Sequence, residues 1–188
     1  DNSTFTNMTG TGVTTATLPA ATIGALTATK YFRAVVTNTP CPSVISNVVT
    51  VTVNSLPVIT INPTLTAQTL CQDPTLTANS YSVSATAGSG TISSYSWYRN
   101  ANNSNIGGTF LVTNTSSSGS NSYLPSRTTA SEFYYYCIVT NSNGCIATSS
   151  PSGSVKVIAT PTITTNGVIN TVTAGTTSAT LPYTATTS

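Results

Sequence analysis

Alternation of apolar and polar side chains is strongest over Phe133-Tyr134-Tyr135-Tyr136-Cys137-Ile138-Val139-Thr140-Asn141. A period of two places Phe133, Tyr135, Cys137 and Val139 on one face, and Tyr134, Tyr136 and Ile138 on the other. Aromatic and β-branched residues suit a pleated, half-buried surface, so the stretch predicts a strand. Asn143-Gly144 predicts a hairpin turn closing at Cys145. A return strand follows over Val155-Lys156-Val157-Ile158, reached through Pro151-Ser152-Gly153, which reads as a bulge. Upstream, Leu76 to Ala85 predicts a strand with Tyr81, Val83 and Ala85 on one side. Tyr95 to Arg99 predicts another, with Tyr95 and Trp97 sharing a face. Phe110-Leu111-Val112 is a short strand, Cys71-Gln72-Asp73-Pro74 a turn, and the polar run Thr113 to Ser122 a loop tip. Helical periodicity is not evident anywhere.

The same pattern occurs twice. Tyr31-Phe32-Arg33-Ala34-Val35-Val36-Thr37-Asn38, closing at Cys41, is followed by the return strand Val48 to Val53. Cys41 and Cys145, Pro57 and Pro161, and Val53 and Val157 are each separated by 104 positions. Before the hairpin, Thr37 and Thr140 are 103 positions apart, so the second turn is one residue longer. Landmarks sharing one offset mark a tandem repeat of about 100 residues, the size of an immunoglobulin-like domain. The Tyr135-x-Cys137 step with Trp97 upstream is the core signature of strand F in such a sandwich. The expected fold is therefore all-β, with tandem immunoglobulin-like β-sandwich domains, one complete and two partial. Residues 1–55 form the C-terminal part of one domain, 56–159 a complete domain, and 160–188 the start of a third. Short linkers at Asn54-Ser55-Leu56-Pro57 and Ala159-Thr160-Pro161 divide them. The two partial units need partners: a longer covalent chain, or strands of 160–188 exchanged between subunits.

Composition narrows the function. Hydrophobic residues make up 38% of the chain but charged residues only 4%, with a net charge of +2 and no histidine. Disordered chains pair low hydrophobicity with high net charge, and this one does neither. No cluster of Lys or Arg suggests nucleic acid, and no apolar run is long enough to insert in a membrane. Without histidine the serines lack an imidazole base, and Asp1, Asp73 and Glu132 are scattered, so neither a catalytic pair nor a calcium site is expected. No cofactor is implied, and the chain reads as a non-enzyme.

Cys41, Cys71, Cys137 and Cys145 lack metal-ligand spacing, so disulfide use in an oxidising compartment is expected. One option is an inter-sheet bridge from Cys71 to Cys137 beside Trp97. Yet the first copy has Ala34 where the second has Cys137, and the recurring cysteine is the hairpin one. That favours Cys71–Cys145, with Cys137 a small core residue and Cys41 bridged to a residue before position 1. Trp97, Tyr135 and Cys137 are expected in the core. Tyr98, Tyr134 and Tyr136 alternate outward on neighbouring strands. They are either a cross-strand aromatic pairing that supports the sheet or a face for sugars or a neighbouring chain.

Cys71-Gln72, Ser96-Trp97-Tyr98, Asn102 to Gly108, Tyr134 to Cys137 and Asn141 to Cys145 resemble the immunoglobulin-like repeats of very large Bacteroidota cell-surface proteins. These include type IX-secreted adhesins, filaments and gliding-motility adhesins. The resemblance covers residues 57–158 well and 13–53 in part. It implies a structural stalk or adhesin segment, secreted to the bacterial cell surface, that spaces a binding region from it. The implied partners are neighbouring repeats of the same chain, with surface glycans or other surface proteins as further candidates.

Overall fold

The structure is a computed structural model that describes residues 4–6, 17–165, 173–175 and 183–186. The chain divides into two units, Asp1–Ser55 and Leu56–Ser188.

In the first unit, a single helical turn, α1 (Ala20–Ile23), interrupts what reads from sequence as a small-residue connection. Pro19, with φ −64°, caps its start, and Gly24, at φ +70°, closes it by donating its N–H to the Ala20 carbonyl at 3.0 Å. Four strands follow. β1 (Lys30–Phe32) pairs antiparallel with β4 (Val49–Val51), and β2 (Val35–Asn38) pairs with β3 (Cys41–Ile45). Arg33 lies over the Phe5 ring at 4.1 Å. The sheet edge and short strand expected ahead of Leu18 fall largely on residues 7–16, outside the described residues.

The second unit holds a two-sheet sandwich. Its strands are β5 (Val58–Ile61), β6 (Gln68–Cys71), β7 (Tyr81–Thr86), β8 (Ile92–Asn100), β9 (Thr109–Thr115), β10 (Ser120–Tyr123), β11 (Ser131–Asn141), β12 (Ile146–Thr148) and β13 (Val155–Ile158). One sheet has the order β10-β7-β5; the other has β6-β13-β11-β8-β9, with β12 also on β11. Alternation works as the period of two requires: β7 buries Tyr81, Val83 and Ala85 and turns Ser82 and Ser84 away. From the facing sheet come Tyr95, Trp97, Cys137 and Val139, all fully buried. Core and architecture together are those of an immunoglobulin-like β-sandwich.

Chain segments that look like loops in the sequence carry part of this fold. Cys71 ends a strand and not a turn. After Ile61, Pro63 has no N–H to continue the ladder on β7. The chain crosses to the other sheet, and β6 joins β13 in parallel, Gln68 opposite Val155 and Cys71 opposite Ile158. Gly153 is where the crossing chain passes. A Cβ there would lie against the Leu65 carbonyl and 2.6 Å from the Thr66 carbonyl. The region read as a bulge is held by hydroxyls: the amides of Tyr135 and Cys137 donate to Ser152 Oγ and Ser149 Oγ, both at 2.9 Å. The turn lies at Gln72–Thr75, where Asp73 accepts from Thr75 Oγ1 at 2.6 Å and from its N–H at 2.8 Å. The expected loop Thr113–Ser122 shrinks to residues 116–119 between β9 and β10.

Near the C-terminal end, β14 (Thr162–Thr165) pairs antiparallel with β15 (Tyr183–Thr186). The sequence reading starts a third unit at residue 160, whereas these strands group with the second unit. The strand-like segment expected from Ser178 falls on undescribed residues as far as Pro182.

Candidate functional site

The core residues come together around Trp97. Its indole N–H donates to Asn121 Oδ1 at 2.9 Å, and the same oxygen accepts from Asn114 Nδ2 at 3.0 Å. The indole stacks on Tyr123 at 5.7 Å, Tyr123 tilts onto Tyr135 at 5.6 Å, and Tyr135 meets Tyr81 at 6.1 Å. The Tyr81 hydroxyl donates to the Gly153 carbonyl at 3.0 Å, which ties this aromatic chain to the β12–β13 connection. Burial pushes the Tyr135 hydroxyl up to about 12, and the Cys137 thiol likewise to about 12. Trp97, Tyr135 and Cys137 are therefore packing residues.

The expected Cys71–Cys145 bridge is absent. None of the four cysteines is bridged. Cys71 sits beside Ile158, just past the Val157–Ser131 pair, while Cys145 sits beside Asn141. Ser131 and Asn141 are opposite ends of β11. At about 3.3 Å per residue that is roughly 33 Å, against the roughly 6 Å between Cα atoms that a bridge needs. Cys137 faces the core midway along the same strand, so it cannot meet the exposed Cys71 either. The pairing inferred from the recurring hairpin cysteine failed because Cys71 was read on a turn, when β6 carries it to the far pole.

On the outer face, the structure places the tyrosines differently from one another. Tyr98 and Tyr136 are directly opposite in register and stack at 5.2 Å with rings 10° apart. Phe110, the β9 partner of Tyr98, meets it edge-on at 5.6 Å. Tyr134 pairs with Asn100 instead. Tyr136 is not an exposed surface residue: it is 3% exposed. Gly108 packs so close that an added Cβ would lie 2.8 Å from its ring, and the Gly108 N–H donates to its hydroxyl at 3.2 Å. The loop through Asn100–Gly108 is stiffened by Asn100, which donates to the Ile106 carbonyl at 2.9 Å. Asn105 then donates to the Ser149 carbonyl, also at 2.9 Å. The loop covers Tyr136, and the ladder Phe110–Tyr98–Tyr136 is cross-strand support.

One cleft opens at the pole where Arg127 donates to the Cys71 carbonyl at 2.7 Å. Arg99, Tyr123, Thr128, Phe133 and Tyr135 are among its walls, and its volume is about 80 Å³. Arg99 lies over the Phe133 ring at 4.5 Å. Organic ligands occupy pockets of roughly 300 Å³ or more, so the cleft has room for water and little else. Among the described residues no group of three His, Cys, Asp or Glu side chains could hold a metal.

Sequence reasoning missed Ser149 and Asn121, and read Ser152 and Gly153 only as parts of a bulge, although glycine in a strand context marks either a bulge or a close backbone approach.

The fold and these contacts define an immunoglobulin-like module with a tryptophan on β8 and a Tyr-x-Cys step on β11, but without the bridge between sheets. Residues 1–55 match a family described as a domain of unknown function, DUF8696. No curated protein matches the chain. Among solved structures it is similar to the fibronectin(III)-like modules of Clostridium thermocellum CbhA, at 19% identity and a TM-score of 0.34, over 71% of this chain and 63% of that one.

Proposed function

We propose that this chain is a spacer: a run of immunoglobulin-like repeats in a secreted, surface-attached protein, holding a binding region away from the cell. The observation that carries this reading is the repeat at the level of strand pairing. Lys30 faces Val51 in the first unit as Phe133 faces Val155 in the second. Asn38 faces Cys41, and the Asn141 N–H likewise donates to the Cys145 carbonyl at 3.0 Å. The sandwich is also polar in the geometric sense. β5 starts beside the end of β7 at one pole, and β13 leaves at the other. A module whose ends lie at opposite poles extends a chain when repeated. The Bacteroidota surface-protein resemblance supports export by type IX secretion to the cell surface, with neighbouring repeats as the main partners. Covering of Tyr136 removes the middle of the aromatic face on which a glycan would stack, so an adhesive tip belongs to other parts of such a protein.

Small-angle scattering of a protein with several such repeats tests the spacer. The expected result is a rod that grows by about 40 Å per repeat, a spacing estimated from strand rise and domain size. A compact particle whose radius grows as a globule's would refute it.

A further inference from the structure

We infer that the cleft beside Arg99 is a site for one carboxylate group, held by the Arg99 guanidinium and the Tyr135 hydroxyl. The inference rests on residues of the sandwich alone and does not depend on the spacer reading.

Alternation along β8 puts Tyr95, Trp97 and Arg99 on the face that looks into the sandwich. Tyr95 and Trp97 fill the core. Arg99 follows at a position where the period of two calls for an apolar side chain, directly opposite Tyr135 in register. It is half-buried, and a cation withdrawn from water needs an ion or hydrogen-bond partner. The Phe133 ring, 4.5 Å from the guanidinium carbon, serves its flat side and not its N–H groups. Those N–H groups make no hydrogen bond among the described residues. Arg127, at the same pole, is different: its Nε and Nη2 both donate to the Cys71 carbonyl, at 3.1 and 2.7 Å. Nor does a carboxylate of the sandwich answer Arg99. The chain has three acids. Glu132 pairs with Lys156, Asp73 is turned to Thr75, and Asp1 lies outside the described residues.

Tyr135 is the second, independent observation. It is 5% exposed and is among the walls of the cleft. The hydroxyls of Tyr81 and Tyr95 donate to the carbonyls of Gly153 and Ser118, at 3.0 and 2.8 Å. The Tyr135 hydroxyl makes no hydrogen bond among the described residues. Buried hydroxyls are ordinarily paired, so this donor is left for a group in the cleft. A carboxylate meets both needs, because its two oxygens accept from the guanidinium fork and from a phenol together. The volume of about 80 Å³ equals two or three waters at roughly 30 Å³ each, which one carboxylate matches and a sugar ring exceeds.

Nuclear magnetic resonance on the full chain tests this at neutral pH and constant ionic strength, with acetate as the probe and acetamide as its neutral counterpart. Acetate should shift the Arg99 Nε–H signal and the amides of Ser126 to Ser131 along a saturable curve, with a millimolar dissociation constant; acetamide should not. R99M should abolish saturation. Y135F keeps the ring packing and should weaken binding about tenfold or more, the usual worth of a hydrogen bond to a charged group. The fluorescence of Trp97, the single tryptophan, reports that the sandwich remains folded in each variant. An acetylated, amidated Gly-Asp-Gly peptide and its Gly-Asn-Gly counterpart distinguish the sources of the carboxylate. Saturation by the Asp peptide assigns the site to an acidic side chain of a polypeptide, and saturation by acetate alone assigns it to a free acid. A shift that never saturates, an equal response to acetamide, or unchanged affinity in either variant would overturn the proposal.

Discussion

Cys137 shows what a single buried group does to this sandwich. Its thiol is fully enclosed, and burial lifts it from an ordinary 9.0 to about 12. The unfolded chain releases this proton near pH 9 and the folded chain keeps it. Stability from this group is thus complete below pH 9 and is lost as pH rises from there towards 12. Between pH 9 and 10 the buried tyrosines contribute little, because their ordinary value is 10.0. Urea unfolding in that window should lose up to about 1.4 kcal/mol per pH unit in the wild type. C137A should flatten the curve there, and it introduces the residue that the first repeat carries as Ala34. An equal slope in both proteins would show that the thiol does not couple to folding. The same enclosure predicts that iodoacetamide at neutral pH labels the exposed Cys41 and Cys71 and spares Cys137 until denaturant is added.

At the scale of elements, strong alternation was enough to read β7, β8 and β11 from the sequence, and with them the positions of Trp97, Tyr135 and Cys137. The strands that were missed take their structure from neighbours. β6 is Gln-Thr-Leu-Cys, with no alternation of its own, and is a strand because β13 lies alongside. β10 is Ser-Asn-Ser-Tyr, whose polar residues face β7 and whose Asn121 serves Trp97. Burial of Tyr136 depends on a loop folding back from Asn100, an event that strand periodicity does not encode. The reading of the cysteines failed for a similar reason: pairing depends on which pole each occupies, and β6 was needed to know that. The crossing from β5 to β6 has one sensitive point. G153A would drive a methyl group into the backbone at Leu65 and Thr66, which cannot yield as a side chain tip can. A loss of about 1–3 kcal/mol in denaturant unfolding is expected. Protection of the β6 amides in hydrogen exchange should fall before that of β8. Unchanged protection of β6 would mean the crossing adjusts freely.

For the whole molecule, stability is unevenly shared. The second unit stacks two sheets around one core, while the first exposes Val36, Val44 and Val49 at 62% or more. A unit that cannot bury its apolar face gains little to offset the entropy of ordering its backbone. A fragment spanning residues 56–159 should therefore melt cooperatively, followed by near-ultraviolet circular dichroism of its buried aromatics. A fragment of residues 1–55 should show no cooperative transition. Cooperative melting of the short fragment would mean that the first unit has a core of its own. Charge does little in either case. The one ion pair among the described residues, Lys156 with Glu132 at 3.9 Å, is exposed on both sides.

The parallel pairing of β6 with β13 has a mechanical consequence. If the ends of the sandwich are pulled apart through Leu56 and Ala159, β6 is drawn towards one pole and β13 towards the other. The two strands slide along each other, and the bonds of the four-pair ladder from Gln68 to Cys71 must give way together. Tension applied instead between Ser94 and Thr115, which face each other where β8 begins and β9 ends, opens that antiparallel pair one contact at a time. Single-molecule stretching should therefore meet a higher rupture force along the first direction than along the second, and equal forces would show that the ladder does not act as a clamp. Such a module is soft when peeled and resistant when stretched end to end.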